Sequence, residues 1–271
     1  MRKIALVIEY DGTKYFGWQK QKDPTQKSIQ GELEKALKEF FGVPILVAAS
    51  GRTDRGVHAA GQVVDFKFYN RLFVPIEKLH KVLNNLLPND IKVISAQFVK
   101  LGFSSRFYAD AREYSYTIST KDTIFNTQFE SFVPYPINFE LMNDAAEYFI
   151  GIHDFTSFSK NNKDTKSYVC NVEFCYWERL NDYKFKFHIK ANRFVYSMVR
   201  SLVGFMIDIG REKRDIVEIE DLFNNPRRDF TSPLATPNGL VLEKVYYPNN
   251  VLNDSISPFD TISDEEEINV V

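Results

Sequence analysis

The order in which two hydrophobic periods alternate along residues 3–99 leaves few architectures open. Lys3–Tyr10 reads as a strand, with Ile4, Leu6 and Ile8 on one side and the apolar Ala5 and Val7 on the other. Ser28–Phe41 then reads as a helix: Ser28 stands where an N-cap belongs, and Ile29, Leu33, Leu37 and Phe40 recur at helical spacing. Strands at 45–49 and 62–68 follow, then a helix over Pro75–Leu87 stopped by Pro88, then a strand over Ile91–Val99. Strand–helix–strand–strand–helix–strand is the order of a ferredoxin-like unit, an antiparallel sheet with helices on one face.

A second half begins near residue 103. Glu113–Thr120 alternates as a strand, with Tyr114, Tyr116 and Ile118 sharing one face. Phe139–Ile150 suits a helix, and strands are expected at Tyr168–Trp177 and Tyr183–Lys190. Arg193–Ile209 reads as one long helix with Phe194, Met198, Leu202 and Phe205 along its buried side. A short helix at Ile219–Phe223 and a strand at Leu240–Tyr246 close the body. The expected organisation is an N-terminal half over residues 1–102, a C-terminal half over 103–250 and an acidic tail over 251–271.

Between the strands at 45–49 and 62–68 lies Gly51–Ala59, Gly-Arg-Thr-Asp-Arg-Gly-Val-His-Ala. Gly51 and Gly56 allow backbone angles that a side chain forbids, so the loop can fold sharply. It sets the Asp54 carboxylate between Arg52 and Arg55, an anionic nucleophile or base beside groups that grip a polyanion. A charged turn that only meets solvent has the same composition. Elsewhere His58 is a lone loop histidine, and His153-Asp154 has no serine or cysteine nucleophile in a recognisable elbow.

With 44% hydrophobic and 15% aromatic residues in 271, the chain can bury a substantial core, which excludes disorder of the whole. Its net charge of −2 argues at first against a polyanionic partner. Six acidic residues between Asp254 and Glu267 account for that sign: residues 1–253 carry 34 basic against 30 acidic groups. A body with that balance can focus positive potential in one cleft. Cys170 and Cys175 have no partner at zinc spacing and read as reduced thiols, so no metal is expected. Glu9 breaks the N-terminal apolar run too early for a signal peptide, and no run reaches the length of a membrane span. The cytoplasm is the expected compartment.

Gly51–Ala59 is similar to the signature of the tRNA pseudouridine synthase I family. Four further stretches stand in that family's order. They are Ile8-Glu-Tyr-Asp-Gly-Thr-Lys-Tyr-Phe-Gly-Trp-Gln, Ser105-Arg-Phe-Tyr-Ala-Asp-Ala-Arg-Glu-Tyr-Ser-Tyr, Gly151-Ile-His-Asp-Phe-Thr-Ser-Phe and Ala191-Asn-Arg-Phe-Val-Tyr-Ser-Met-Val-Arg-Ser-Leu-Val-Gly. The similarity resumes at Gly239-Leu-Val-Leu-Glu-Lys-Val and spans residues 3–248. The resemblance implies a pseudouridine synthase fold, α+β, in which two ferredoxin-like (RRM-like) halves share one extended antiparallel sheet with helices on one face. It implies isomerisation of uridine to pseudouridine in the anticodon stem-loop of tRNA, at tRNA positions 38–40, with no cofactor. It also implies a homodimer in which one tRNA touches both subunits.

By motif position the resemblance makes Asp54 the catalytic aspartate and Arg52 the arginine that assists flipping of the base out of its stack. It makes Tyr114 the ring that stacks on the target uracil, and Arg200 the partner that holds Asp54 charged and oriented. Without it, Tyr114 is an ordinary strand aromatic, no different from Tyr116 on the same face, and Arg200 is a helix cation. A buried Arg200 would require a carboxylate partner. The chain departs from the family at two positions: Arg55 stands where many members carry a small residue, and Ser197 where histidine is common. Two other readings stay open, an RNA-binding module without chemistry and an aspartate-dependent N-glycosidase that releases the base.

Overall fold

A computed structural model of the chain describes residues 1–69, 71–125, 127–229 and 232–248. The acidic tail expected over 251–271 lies outside the described residues. The first half contains β1 (Arg2–Tyr10), α1 (Ile29–Phe41), β2 (Ala48–Ala49), β3 (His58–Phe68), α2 (Ile76–Leu86) and β4 (Ile91–Val99). The second begins with β5 (Ala111–Ser119), β6 (Ser131–Phe132), α3 (Phe139–Glu147) and β7 (Gly151–Asp154). It continues with β8 (Val169–Asn181), β9 (Lys184–Ala191), α4 (Met198–Gly210), α5 (Glu218–Asn224) and β10 (Leu240–Tyr246).

The strands form one sheet in the order β4-β1-β3-β10-β5-β9-β8-β7, with β2 on β3 and β6 on β5. Pairing is antiparallel except for β10 with β3 and β5 with β6. The last strand is the seam: Leu242 faces Ala59 of β3 on one side and Tyr114 of β5 on the other.

Alternation decides what each face meets. Ile4, Leu6 and Ile8, beside Val64 and Phe66, are buried in a cluster with Leu33 and Leu37 of α1 and Leu79 and Leu83 of α2. Tyr116, Ile118, Phe187 and Ile189 are buried with Met142 of α3 and Leu202 of α4. Tyr114 packs against both clusters, so both helix pairs cover the same face. The other face is tied by charge, with Lys186 Nζ 3.0 Å from Glu243 and the buried Lys3 Nζ 2.8 Å from Asp65. This is the α+β sheet with helices on one face that the periodicity predicts.

Three local differences have physical causes. Residues 45–49 alternate as a strand, with Ile45 and Val47 buried and Leu46 exposed, yet only Ala48 and Ala49 pair with β3. Pro44 has no N–H, and Val47 N–H turns to Glu34 Oε1 of α1 (3.4 Å) instead of to a strand. The helix expected from Arg193 starts at Met198, because Ser197 adopts a left-handed conformation (φ 61°, ψ 12°) that no α-helix continues through. The four-residue β7 falls inside the Gly151–Phe158 motif, where a short mixed sequence shows no clear period of 2.

Candidate active site

The Gly51–Val57 loop is suspended by hydrogen bonds at both ends. Ser50 N–H donates to the Val63 carbonyl (2.9 Å) and its Oγ to Gln62 Oε1 (2.6 Å), while Gln62 Nε2 donates to the Gly51 carbonyl (2.9 Å). Tyr10 Oη and Thr53 Oγ1 lie 2.8 Å apart, and Trp18 N–H donates to the Thr53 carbonyl (3.0 Å). Burial pushes the Tyr10 phenol up to about 12, so it stays protonated. Gly17 makes the close approach possible. Its φ is +87°, and a Cβ there would sit 2.6 Å from the Thr53 carbonyl oxygen. Val57 N–H returns to the Asp54 carbonyl (3.1 Å) across a turn with Gly56 at φ +77° in its third position, a place that glycine favours.

The turn holds Asp54 partly exposed, its side chain at 30%. Arg200 Nη1 from α4 lies 3.5 Å from Asp54 Oδ2, and Ser197 Oγ donates to the same oxygen at 3.3 Å. Oδ1 has no hydrogen-bond partner among the described residues. Arg200 is itself fixed: its Nε donates to the Ala235 carbonyl (2.7 Å), and Ala235 N–H donates back to the Arg200 carbonyl (3.1 Å). One carboxylate oxygen therefore meets two donors from the start of α4, and the other meets none among the described residues. The left-handed Ser197 is what turns its hydroxyl and the first turn of α4 toward the loop.

Tyr114 rises from the centre of β5, between the two hydrophobic clusters. Phe194 packs edge-on against its ring (centroids 5.0 Å, 81°), so Phe194 belongs to the loop before α4 and to the Tyr114 platform, not to a helical stripe. Burial raises the Tyr114 phenol well above its ordinary range; the neighbouring Tyr10 and the charge of Asp54 add to this, and Arg112 opposes it. The structure thus brings Arg200 to Asp54 and sets the Asp54 charge near enough to act on the Tyr114 phenol. Arg52, two residues before Asp54, is exposed, with no ion pair or hydrogen bond among the described residues.

Sequence reasoning passed over Arg112. From β5 its Nη1 donates to the carbonyls of Ala109 and Asn192, and its Nη2 to those of Ser50 and Arg106, all within 3.0 Å. It clasps the entry of the Asp54 loop to the strand of Tyr114 and to the segment leading to α4. The available signal was its place two residues before Tyr114, on the same strand face.

The remaining candidates are structural. His58 is buried, and its Nδ1 accepts from Gly12 N–H (3.0 Å) with Asp11 Oδ1 3.1 Å away. Burial lowers its pKa against the opposing pull of Asp11, favouring the neutral ring. His153 stacks on Phe223 (4.3 Å) and contacts the Ile150 carbonyl (2.8 Å). Cys170 and Cys175 are buried free thiols, pushed by burial up to about 11 and about 12, away from thiolate chemistry. Among the described residues no group of three His, Cys, Asp or Glu side chains is placed to hold a metal ion, and no helix is long and apolar enough to cross a membrane.

Comparison with known proteins gives the family of this scaffold. The family model described as tRNA pseudouridine synthase matches residues 6–108 and 145–248, which cover the Asp54 loop, α4 and β10. The chain belongs to that family, and it is an isomerase. Among its relatives, tRNA pseudouridine synthase A of Clostridium botulinum is 40% identical over 250 residues, covering 91% of this chain and 100% of that one. The protein of the same name from Caldicellulosiruptor saccharolyticus is 38% identical over 255 residues, again 91% and 100%. That from Chlorobium luteolum is 38% identical over 250 residues, 92% and 97%.

Proposed function

We propose that this enzyme converts uridine to pseudouridine in the anticodon arm of tRNA, with Asp54 as the nucleophile. The observation that carries the reading is the asymmetric hold on Asp54: Oδ2 is bound by Arg200 and Ser197, Oδ1 has no partner among the described residues, and the carboxylate is near enough for its charge to act on the Tyr114 phenol. In the reaction the N1–C1′ bond of the uridine breaks, the uracil turns, C5 joins C1′, and the C5 proton leaves as N1 gains one. No electrons are exchanged with a cofactor. A carboxylate nucleophile divides this into two easier displacements.

The target must first leave its stack, at a cost of about a few kcal/mol. Arg52 is free to enter the stack in its place, its planar guanidinium suited both to bases and to phosphate. Tyr114 receives the flipped uracil on its ring; its phenol, held protonated by burial, acts by stacking and not as the base that takes the C5 proton. The enzyme works in the cytoplasm as a homodimer, one tRNA spanning both subunits; sedimentation of the free enzyme and of its tRNA complex tests this arrangement.

Tritium release from tRNA transcripts labelled at uridine C5 tests the chemistry. Wild type should release tritium with no free uracil, and Asp54→Asn should release none while binding tRNA within several-fold of wild type, because phosphate contacts dominate affinity. Activity in Asp54→Asn removes Asp54 as nucleophile. Free uracil identifies an N-glycosidase, and binding without release by wild type identifies an RNA-binding module.

A further inference from the structure

We propose that Arg55 and Phe16 form a subsite for the nucleotide adjacent to the flipped uridine, a stacking platform whose guanidinium edge takes that nucleotide's phosphate. The inference rests on the reading of tRNA as substrate and adds a contact beside the flipped base. Arg55 stands at the tip of the turn that carries Asp54, so whatever lies on it is one residue from the reacting carboxylate.

The turn is rigid. Gly56 N–H donates to the Tyr15 carbonyl (3.3 Å), and Gly56 sits so close to Pro237 that a Cβ would lie 3.0 Å from the proline ring. The Arg55 guanidinium lies over the Phe16 ring, 4.3 Å from its centroid. No carboxylate pairs with Arg55 among the described residues, and the side chain is exposed. The guanidinium is held against an aromatic ring while the side chain stays exposed, and its N–H groups make no hydrogen bond among the described residues. That is the geometry which stacks an unpaired base and binds a phosphate with two parallel hydrogen bonds. Beside it, Thr13, Arg55, Gly56, Pro237 and Asn238 line a pocket of about 250 Å³. Its walls are fixed from within: Thr13 Oγ1 donates to Asp11 Oδ1, and Asn238 Nδ2 donates to the carbonyls of Thr127 (2.8 Å) and Glu130 (2.6 Å), which leaves the Arg55 guanidinium as the group that meets a phosphate. Because Phe16 already orders the arginine, little side-chain entropy is left to lose on binding.

A plain cation over an aromatic ring, shielding it from water, would have the same resting geometry, and salt dependence separates the two. Affinity for an unmodified tRNA transcript is measured over a range of salt concentrations. Arg55→Ala should weaken binding about tenfold and reduce the slope of log affinity against log salt by about 0.7–0.9, the loss of one phosphate contact. Arg55→Lys and Phe16→Leu should keep the wild-type slope, since the charge remains, yet bind about threefold to tenfold more weakly because the ordered stack is lost. An Arg55→Ala protein with wild-type slope and affinity, in an enzyme that Asp54→Asn still inactivates, overturns the subsite alone. Arg55→Lys binding as tightly as wild type overturns the stacking platform. Wild type that binds tRNA no better than a DNA hairpin of equal length overturns the tRNA reading beneath both.

Discussion

Replacing Ser197 by glycine and by alanine should separate stability from rate. Both substitutions delete the hydroxyl that donates to Asp54 Oδ2, but only glycine relieves the backbone at φ 61°. The left-handed conformation costs a non-glycine residue about 1–2 kcal/mol, from which the greater unfolded-state freedom of glycine subtracts about 0.5–1 kcal/mol. The lost hydrogen bond is long and partly solvated, and its charged acceptor puts its worth at about 1 kcal/mol. Ser197→Gly should therefore melt near wild type. Ser197→Ala keeps the strain and loses the bond, so it should melt about 2–4 °C lower, the shift per kcal/mol expected for a chain of this size. Both should lower the single-turnover rate of tritium release alike, by about fivefold if the whole bond acts in the transition state. Ser197→Thr, which keeps a hydroxyl, should recover most of the rate. Rates that track melting temperature, or a wild-type rate in the glycine variant, would refute a role for Ser197 in holding Asp54.

Three further expectations follow from the packing. Lys3→Met strands the buried Asp65 carboxylate and removes a donor to the Phe103 carbonyl, so urea denaturation should show a loss of about 3–5 kcal/mol. His58 has a folded pKa below the 6.5 of the unfolded chain, so the unfolded state takes up the proton first. Its contribution is complete above that pH and is lost as pH falls toward the folded value; His58→Asn, measured by thermal melts, should flatten this acid-side decline. Gly17→Ala forces a Cβ against the Thr53 carbonyl at a left-handed position, and should cost more than about 1 kcal/mol in stability and displace the Asp54 loop. A melting curve unchanged from wild type would contradict that account.

The elements of the scaffold were largely legible from the chain alone, because each has a local cause. The apolar face of β1, the stripe and Ser28 cap of α1 (Ser28 Oγ accepts from Gly31 N–H at 3.2 Å) and the alternation of β5 are written in neighbouring residues. Asp54, Tyr114, Arg52 and Arg200 were likewise nameable, through motifs that preserve spacing; spacing says nothing of which atoms meet. Only the tertiary structure decided that the final strand, β10, lies between β3 and β5, and so brings the loop of one half under the helix of the other. It also decided that Ser197 breaks the helix expected from Arg193, that Phe194 supports Tyr114, and that Arg112 clasps the loop through four carbonyls. The reason is physical: periodicity reports which side of a segment avoids water, a property of that segment. Contacts between residues 54 and 197, or 50 and 112, depend on how whole segments close upon one another, and no short window of sequence contains that information.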